Sequence, residues 1–204
     1  MTHPYIQYIE RGLNAYVNTA FKSKERYINQ FFGYNCAGDL LNLGVFPDAK
    51  EITESMAMYT CLKKKLHMDT SDPNITVHVV GDGSTPRTGA LLAFLTNWKI
   101  YSIDPQLKLK WVDQISIRRL FCFNNKVEAM IQLPYRPTIV VLCHAHVPYT
   151  VITQIYPDTP MVVMPCCVPY PREKASMTYI DHGVWSPMNE ILVYTGTSEE
   201  NLEL

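Results

Sequence analysis

The chain has 204 residues, 47% apolar and 18% charged, a size and composition that suit one globular domain with a sizeable core and leave no room for a second full one. Its 18 Lys and Arg against 19 Asp and Glu give a formal net charge of −1, which excludes a global field for nucleic acid, so an RNA or DNA partner needs a local basic patch. No stretch reaches the ~18 apolar residues of a membrane span, and MTHPYIQYIERG lacks the apolar core of a signal peptide, so a soluble, intracellular, cytoplasmic protein without membrane contact is expected.

Residues 4–32 place Tyr5, Ile9, Leu13, Tyr16 and Val17 at helical spacing, continued by Tyr27, Ile28, Phe31 and Phe32, which predicts one long helix or two shorter ones. Gly33 and Gly38 break the pattern. Pro47 with Asp48 restarts it, and Ile52, Met56, Tyr59 and Leu62 form a second amphipathic face to about Leu66. SDPN at 71–74 reads as a turn. The chain thus divides into a helical extension over 1–70 and an α/β unit over 71–204, expected to form one compact body. Lys22, Lys24 and Arg26, then Lys63, Lys64 and Lys65, are its basic clusters, each first of all a solvated helix face.

Beyond the turn, short apolar runs alternate with helices. Strands are predicted at 75–80, 99–103, 118–123, 138–143 and 160–165, and helices near 87–97, 105–114, 125–132 and 148–156. Such alternation builds a doubly wound parallel sheet. MTYIDHGVW, SPMNE and ILVYTG then read as two strands without room for a crossover helix, so an antiparallel hairpin closes a five-strand parallel sheet.

Residues 75–104 are the most informative. Val77, Val79 and Val80 supply a buried parallel strand, Gly81 and Gly83 let the backbone turn sharply, and Asp104 follows Gly83 by twenty-one positions, at the end of the next strand. An acid there suits the ribose of a nucleoside-bearing cofactor. Pro86 stands where a dinucleotide fingerprint needs glycine, with Gly89 three residues late, which argues against a nicotinamide oxidoreductase; the phosphate loop of nucleotide hydrolases is absent.

From about residue 75 to 196 the chain resembles the class I S-adenosylmethionine-dependent methyltransferases. The likeness rests on VVGDGS at 79–84, IYSID at 100–104 and the order of the strands. It implies a Rossmann-like sheet with a terminal antiparallel hairpin and S-adenosylmethionine as cofactor. Gly81, Asp82 and Gly83 would approach the methionine moiety, Asp104 the ribose hydroxyls, and Asn124 or Asn125 the adenine amino group; Arg87 is a candidate for the cofactor carboxylate. Some members, RNA-directed ones included, carry a Cys-Cys pair after the fifth strand and a His-containing loop after the fourth. Here those places hold MPCCVP at 164–169 and LCHAHVP at 142–148.

The acceptor side is therefore sought in those two loops. His144 or His146 is a candidate general base. Cys166 and Cys167, bracketed by Pro165 and Pro169, are candidate catalytic thiols. With Cys143 and the two histidines they have zinc-ligand chemistry but lack the usual spacer, so no metal is assigned and small, buried packing residues are the alternative. The six cysteines, without a CxxC pair, are expected to be reduced thiols. Tyr149, Tyr170 and Trp185 near loop ends are candidates for stacking on a planar substrate. The expected function is a methyltransferase acting on RNA or another nucleic acid. A small-molecule methyltransferase and an inactive binding or scaffold protein are the alternatives, the latter because the fourth strand lacks the Asn/Asp-Pro-Pro-aromatic motif of many amino-methylating members.

Overall fold

The computed structural model describes residues 25–112, 117–132 and 136–196. The helical pattern before residue 25, with Lys22 and Lys24, and the end of the helix predicted at 105–114 lie outside them. Helix α1 is described over 25–32, and α2 (Ala37–Leu43) and α3 (Ala49–Thr60) follow, the last continuing into a π-helical turn at Cys61–Lys65. Asp48 caps α3, its carboxylate accepting from Glu51 N at 3.0 Å, which is why the pattern restarts after Pro47. Gly38 lies inside α2 and breaks nothing; the left-handed Gly44 (φ 68°) ends that helix.

Seven strands follow: β1 (Thr76–Val80), β2 (Lys99–Ile103), β3 (Leu120–Phe123), β4 (Ile139–Cys143), β5 (Met161–Met164), β6 (Met177–Ile180) and β7 (Glu190–Tyr194). They form one sheet in the order β3-β2-β1-β4-β5-β7-β6; β1 to β5 run parallel, and β7 pairs antiparallel with both β5 and β6. The five-strand parallel sheet closed by an antiparallel hairpin is as the sequence predicts. The connecting helices are α4 (Arg87–Leu95), α5 (Leu109–Val112) and α6 (Tyr149–Ile155). The helix expected at 105–114 begins late because Asp104 holds a turn, its Oδ1 accepting from Gln106 N at 2.7 Å. The segment near 125–132 is a 3₁₀ helix, Val127–Gln132.

Apolar residues fill both faces of the central strands. On one face, Tyr27, Phe31, Met56 and Leu62 of the helical extension join Val77, Val79 and Leu91 in a single core; on the other, Val80, Ile152, Tyr156 and Val163 form a second. The extension is also fastened by polar contacts. Asp181, 4% exposed, accepts from Tyr27 Oη at 2.6 Å and Gly183 N at 2.9 Å and pairs with Arg26. Ser55 Oγ meets Thr88 Oγ1 at 3.1 Å, and Thr85 Oγ1 donates to Val45 O at 2.6 Å. Asp181, which has no task visible in the sequence, therefore ties α1 to the hairpin. Among the described residues no helix is long and apolar enough to cross a membrane.

His78 interrupts the apolar run of β1, where it is 1% exposed with Nδ1 2.8 Å from Tyr156 Oη. Burial lowers its pKa from 6.5 to about 4. The imidazole is neutral in the fold, so as pH falls from 6.5 towards 4 the unfolded chain takes up a proton that the folded chain does not. We expect about 3 kcal/mol of stability to be lost across that window. Urea unfolding at several pH values checks this against His78→Leu, whose stability should vary less; equal pH dependence in both proteins would refute it.

Candidate functional site

The parallel registers decide what meets at the carboxyl edge of the sheet. Val80 stands opposite Ile103, so the Gly81 turn and Asp104 leave the sheet side by side, and Gly81 N donates to Ile103 O at 2.8 Å. Cys143 stands opposite Met164, and His144 N donates to Met164 O at 2.9 Å, which brings the CHAH and PCC loops together. Between these pairs lies a cleft of about 520 Å³, lined by Gly81, Gly83, Asp104, His144 and His146 among others. That volume is in the range of small-molecule sites.

Both glycines are required by conformation and by close approach. Gly81 has φ 73° and Gly83 φ 87°. A Cβ on Gly81 would lie 2.5 Å from Ala145 Cβ and 2.9 Å from Ala145 Cα, so the missing side chain admits the loop after β4. On Gly83 it would meet the Arg87 guanidinium, which occupies that space. Gly81→Ala should therefore combine left-handed strain with overpacking against backbone and cost about 2–4 kcal/mol, read as a lowered denaturation midpoint. A midpoint within error of the wild type would refute the close-approach argument.

The two acids of the turn have different environments. Asp104, 8% exposed, borders the cleft and accepts from Gly83 N at 2.8 Å and from Gln106 N at 2.7 Å. Each oxygen accepts a single bond and so retains lone-pair capacity. Asp82, 2% exposed, faces inward and accepts from Thr88 N at 2.8 Å, Gly89 N at 2.9 Å and Ser102 Oγ at 2.8 Å. It fastens the start of α4 to β2. Gly89 serves the same junction, since a Cβ there would lie 2.9 Å from Asp82 Oδ2 and 3.1 Å from Ser102 Cβ.

Other sequence-predicted residues fall elsewhere. Asn124 donates to Leu107 O and, with Asn125, lines a separate surface cavity beyond β3. Tyr170 is 7% exposed and donates to Val147 O at 2.7 Å, with its ring edge-on to Tyr149 at 5.9 Å; both belong to aromatic packing around Tyr194. Lys63 and Lys65 lie over the rings of Tyr59 and Tyr179.

A smaller recess of about 260 Å³ adjoins the cleft, with Arg87 and His144 lining both and Lys50, Glu51, Glu54 and Cys166 lining the recess alone. Glu54 is the residue that sequence reasoning misses. It projects from α3, is 2% exposed, and places Oε1 3.0 Å from His144 Nε2 and 3.0 Å from Lys50 Nζ. Burial pushes its carboxyl up, but His144 and Lys50 outweigh that and hold it below its ordinary value. His144 itself sits in the left-handed region (φ 55°), and its contact with Glu54 is an ion-pair approach outside good hydrogen-bond alignment. One signal was available: Glu54 is the only charged residue between Ile52 and Leu62. A lone charge in a helix whose every side is covered must be buried and paired.

His146, Cys166 and Cys167 form a second group, their ligand atoms all within 4.8 Å of one another. All six cysteines are free thiols.

The strand order, the glycine turn and the neighbouring acid define the Rossmann-like fold of the class I S-adenosylmethionine-dependent methyltransferases. No protein-family model matches the chain, and no curated protein matches it by sequence. Solved structures match by shape. A point mutant of MtNAS, a nicotianamine synthase, aligns with a TM-score of 0.56 at 10% identity, over 90% of this chain and 74% of that one. The same mutant in complex with S-adenosylmethionine gives 0.55 at 11% identity, over 90% and 76%. MtNAS in complex with MTA and tNA gives 0.52 at 13%, over 89% and 73%. At these identities the likeness is one of fold.

Proposed function

We propose that this chain is an S-adenosylmethionine-dependent methyltransferase that holds its cofactor in the cleft and a small polar acceptor in the recess. The observation that carries the reading is the junction of the two cavities at His144, beside a buried carboxylate. Asp104 and Arg87 both line the cleft, where Asp104 would accept from the ribose hydroxyls and Arg87 would meet the cofactor carboxylate. When bound, S-adenosylmethionine supplies an electrophilic methyl group on a sulfonium. His144, which lines both cavities, would take the proton that the acceptor gives up when its lone pair receives the methyl group. Glu54 stabilises the imidazolium that results, as a buried acid does behind a catalytic histidine.

Two observations support a small acceptor over the nucleic acid expected from the sequence. The recess is small, about 260 Å³, and lined by charges of both signs. The basic group Lys63–Lys65 follows the end of α3 remote from it, about 15 Å along the helix axis from Glu54 at the usual rise per residue. Calorimetry with S-adenosylmethionine tests the cofactor. Incubation with methyl-labelled cofactor, followed by separation of small solutes from RNA, tests the acceptor. Label in the small-solute fraction is expected; label in RNA would overturn the choice of acceptor, and absence of cofactor binding would overturn the whole reading.

A further inference from the structure

The CHAH and PCC loops carry a second chemical group that the proposed transfer does not use. His146, Cys166 and Cys167 bring one imidazole nitrogen and two sulfurs within 4.8 Å of one another, and the two sulfurs lie 3.6 Å apart. Packing does not explain them. Cys167 and His146 are exposed and Cys166 is only half-buried, which corrects the sequence alternative of small, buried packing residues. A disulfide does not fit the separation either, since bonded sulfurs stand about 2.05 Å apart. The distance suits a shared cation: with zinc–sulfur bonds of about 2.3 Å, two thiolates of a tetrahedral site stand about 3.8 Å apart.

We propose that His146, Cys166 and Cys167 bind one zinc ion, with the fourth coordination position left open. The backbone supports this placement. Cys143 and Met164 are paired in register, so the two loops leave the sheet together. Ala145, packed against the bare Cα of Gly81, fixes the residue before His146, and Pro165 and Pro169 restrict the chain on either side of the thiols. Adjacent cysteines lack the spacer of structural zinc motifs, and the group accordingly has three ligands rather than four, the count found where zinc keeps a site for an exchangeable molecule. His146 lines the cleft and Cys166 the recess, so the ion lies on the border between them. There its open position can take a lone pair of an oxygen, nitrogen or sulfur donor. Cys143 and His144 stand outside the group; His144 is paired with Glu54.

The proposal is independent of the cofactor and is tested without it. The reduced, metal-free full chain is titrated with cobalt(II) as a spectroscopic stand-in and then with zinc(II) in competition with a chromophoric chelator. One equivalent of cobalt should bind, giving thiolate-to-metal charge transfer and the intense visible bands of tetrahedral geometry, and zinc should displace it. Cys166→Ser, Cys167→Ser and His146→Ala should each weaken zinc binding by more than about a hundredfold, the most that loss of a group behind a ligand usually costs, whereas Cys36→Ser should leave it unchanged. Because a variant may fold poorly, the wild type is also alkylated with and without zinc, and the modified thiols are located by mass spectrometry. Protection confined to Cys166 and Cys167 supports the site. Absence of the cobalt bands, protection at other cysteines, or a vicinal disulfide forming in the presence of zinc would each overturn it.

Discussion

Asp104→Ala is expected to weaken S-adenosylmethionine binding about a hundredfold, the loss associated with charge-assisted hydrogen bonds to an ionised acceptor. The two carboxylate oxygens of Asp104 hold the N–H groups of Gly83 and Gln106, so the substitution removes the proposed ribose acceptor together with the brace of both turns that border the cleft. Asp104→Asn separates these effects. It keeps one oxygen for one of the turns but lacks the charge, and its affinity should fall between the two. Calorimetry with S-adenosylmethionine and with S-adenosylhomocysteine provides the measurement, and thermal melting shows whether each variant is folded. Undiminished binding by folded Asp104→Ala protein would remove the cofactor from this cleft.

The second large effect separates binding from transfer. Glu54→Gln should lower the rate of methyl transfer by about 10²–10⁴, the usual contribution of positioned acid–base groups, while cofactor affinity stays near the wild-type value. Glu54 lines the recess and not the cleft, so its loss should show in the chemistry rather than in cofactor uptake. His144→Ala should remove as much rate again when made alone, and the double variant should be little worse than either, since paired groups act as one unit. Additive losses in the double variant, or a transfer rate indifferent to Glu54→Gln, would mean that the pair has another task.

The parts of this protein that were legible in its sequence are those whose signal is local. A β-branched run, two glycines, a helix and an acid at fixed distance all lie within residues 75–104, and the terminal hairpin follows from a short connection without room for a helix. The division of labour between the two acids was not legible. Which of Asp82 and Asp104 faces the cleft depends on the positive φ values of Gly81 and Gly83, and the sequence does not print dihedral angles. The surroundings of Asn124 were not legible for a related reason: its amide donates to Leu107 O, in the turn after β2. The pairing of Glu54 with His144, and of Asp181 with Arg26 and Tyr27, was invisible because these partners lie far away in the chain. Tyr170 illustrates the converse, an aromatic near a loop whose hydroxyl and ring are both taken up by packing.

Arg87 belongs to both cavities. Its Nε donates to Asp82 O at 3.0 Å, it covers Gly83, and its guanidinium pairs with Glu51 of the helical extension. A ligand carboxylate that reaches this guanidinium from the cleft competes with Glu51, which already lines the recess and keeps Lys50, at 3.2 Å, as a second partner. Filling one cavity would therefore change how the charges lining the other are paired. Each of the two ligands should then alter the affinity of the other by the same factor.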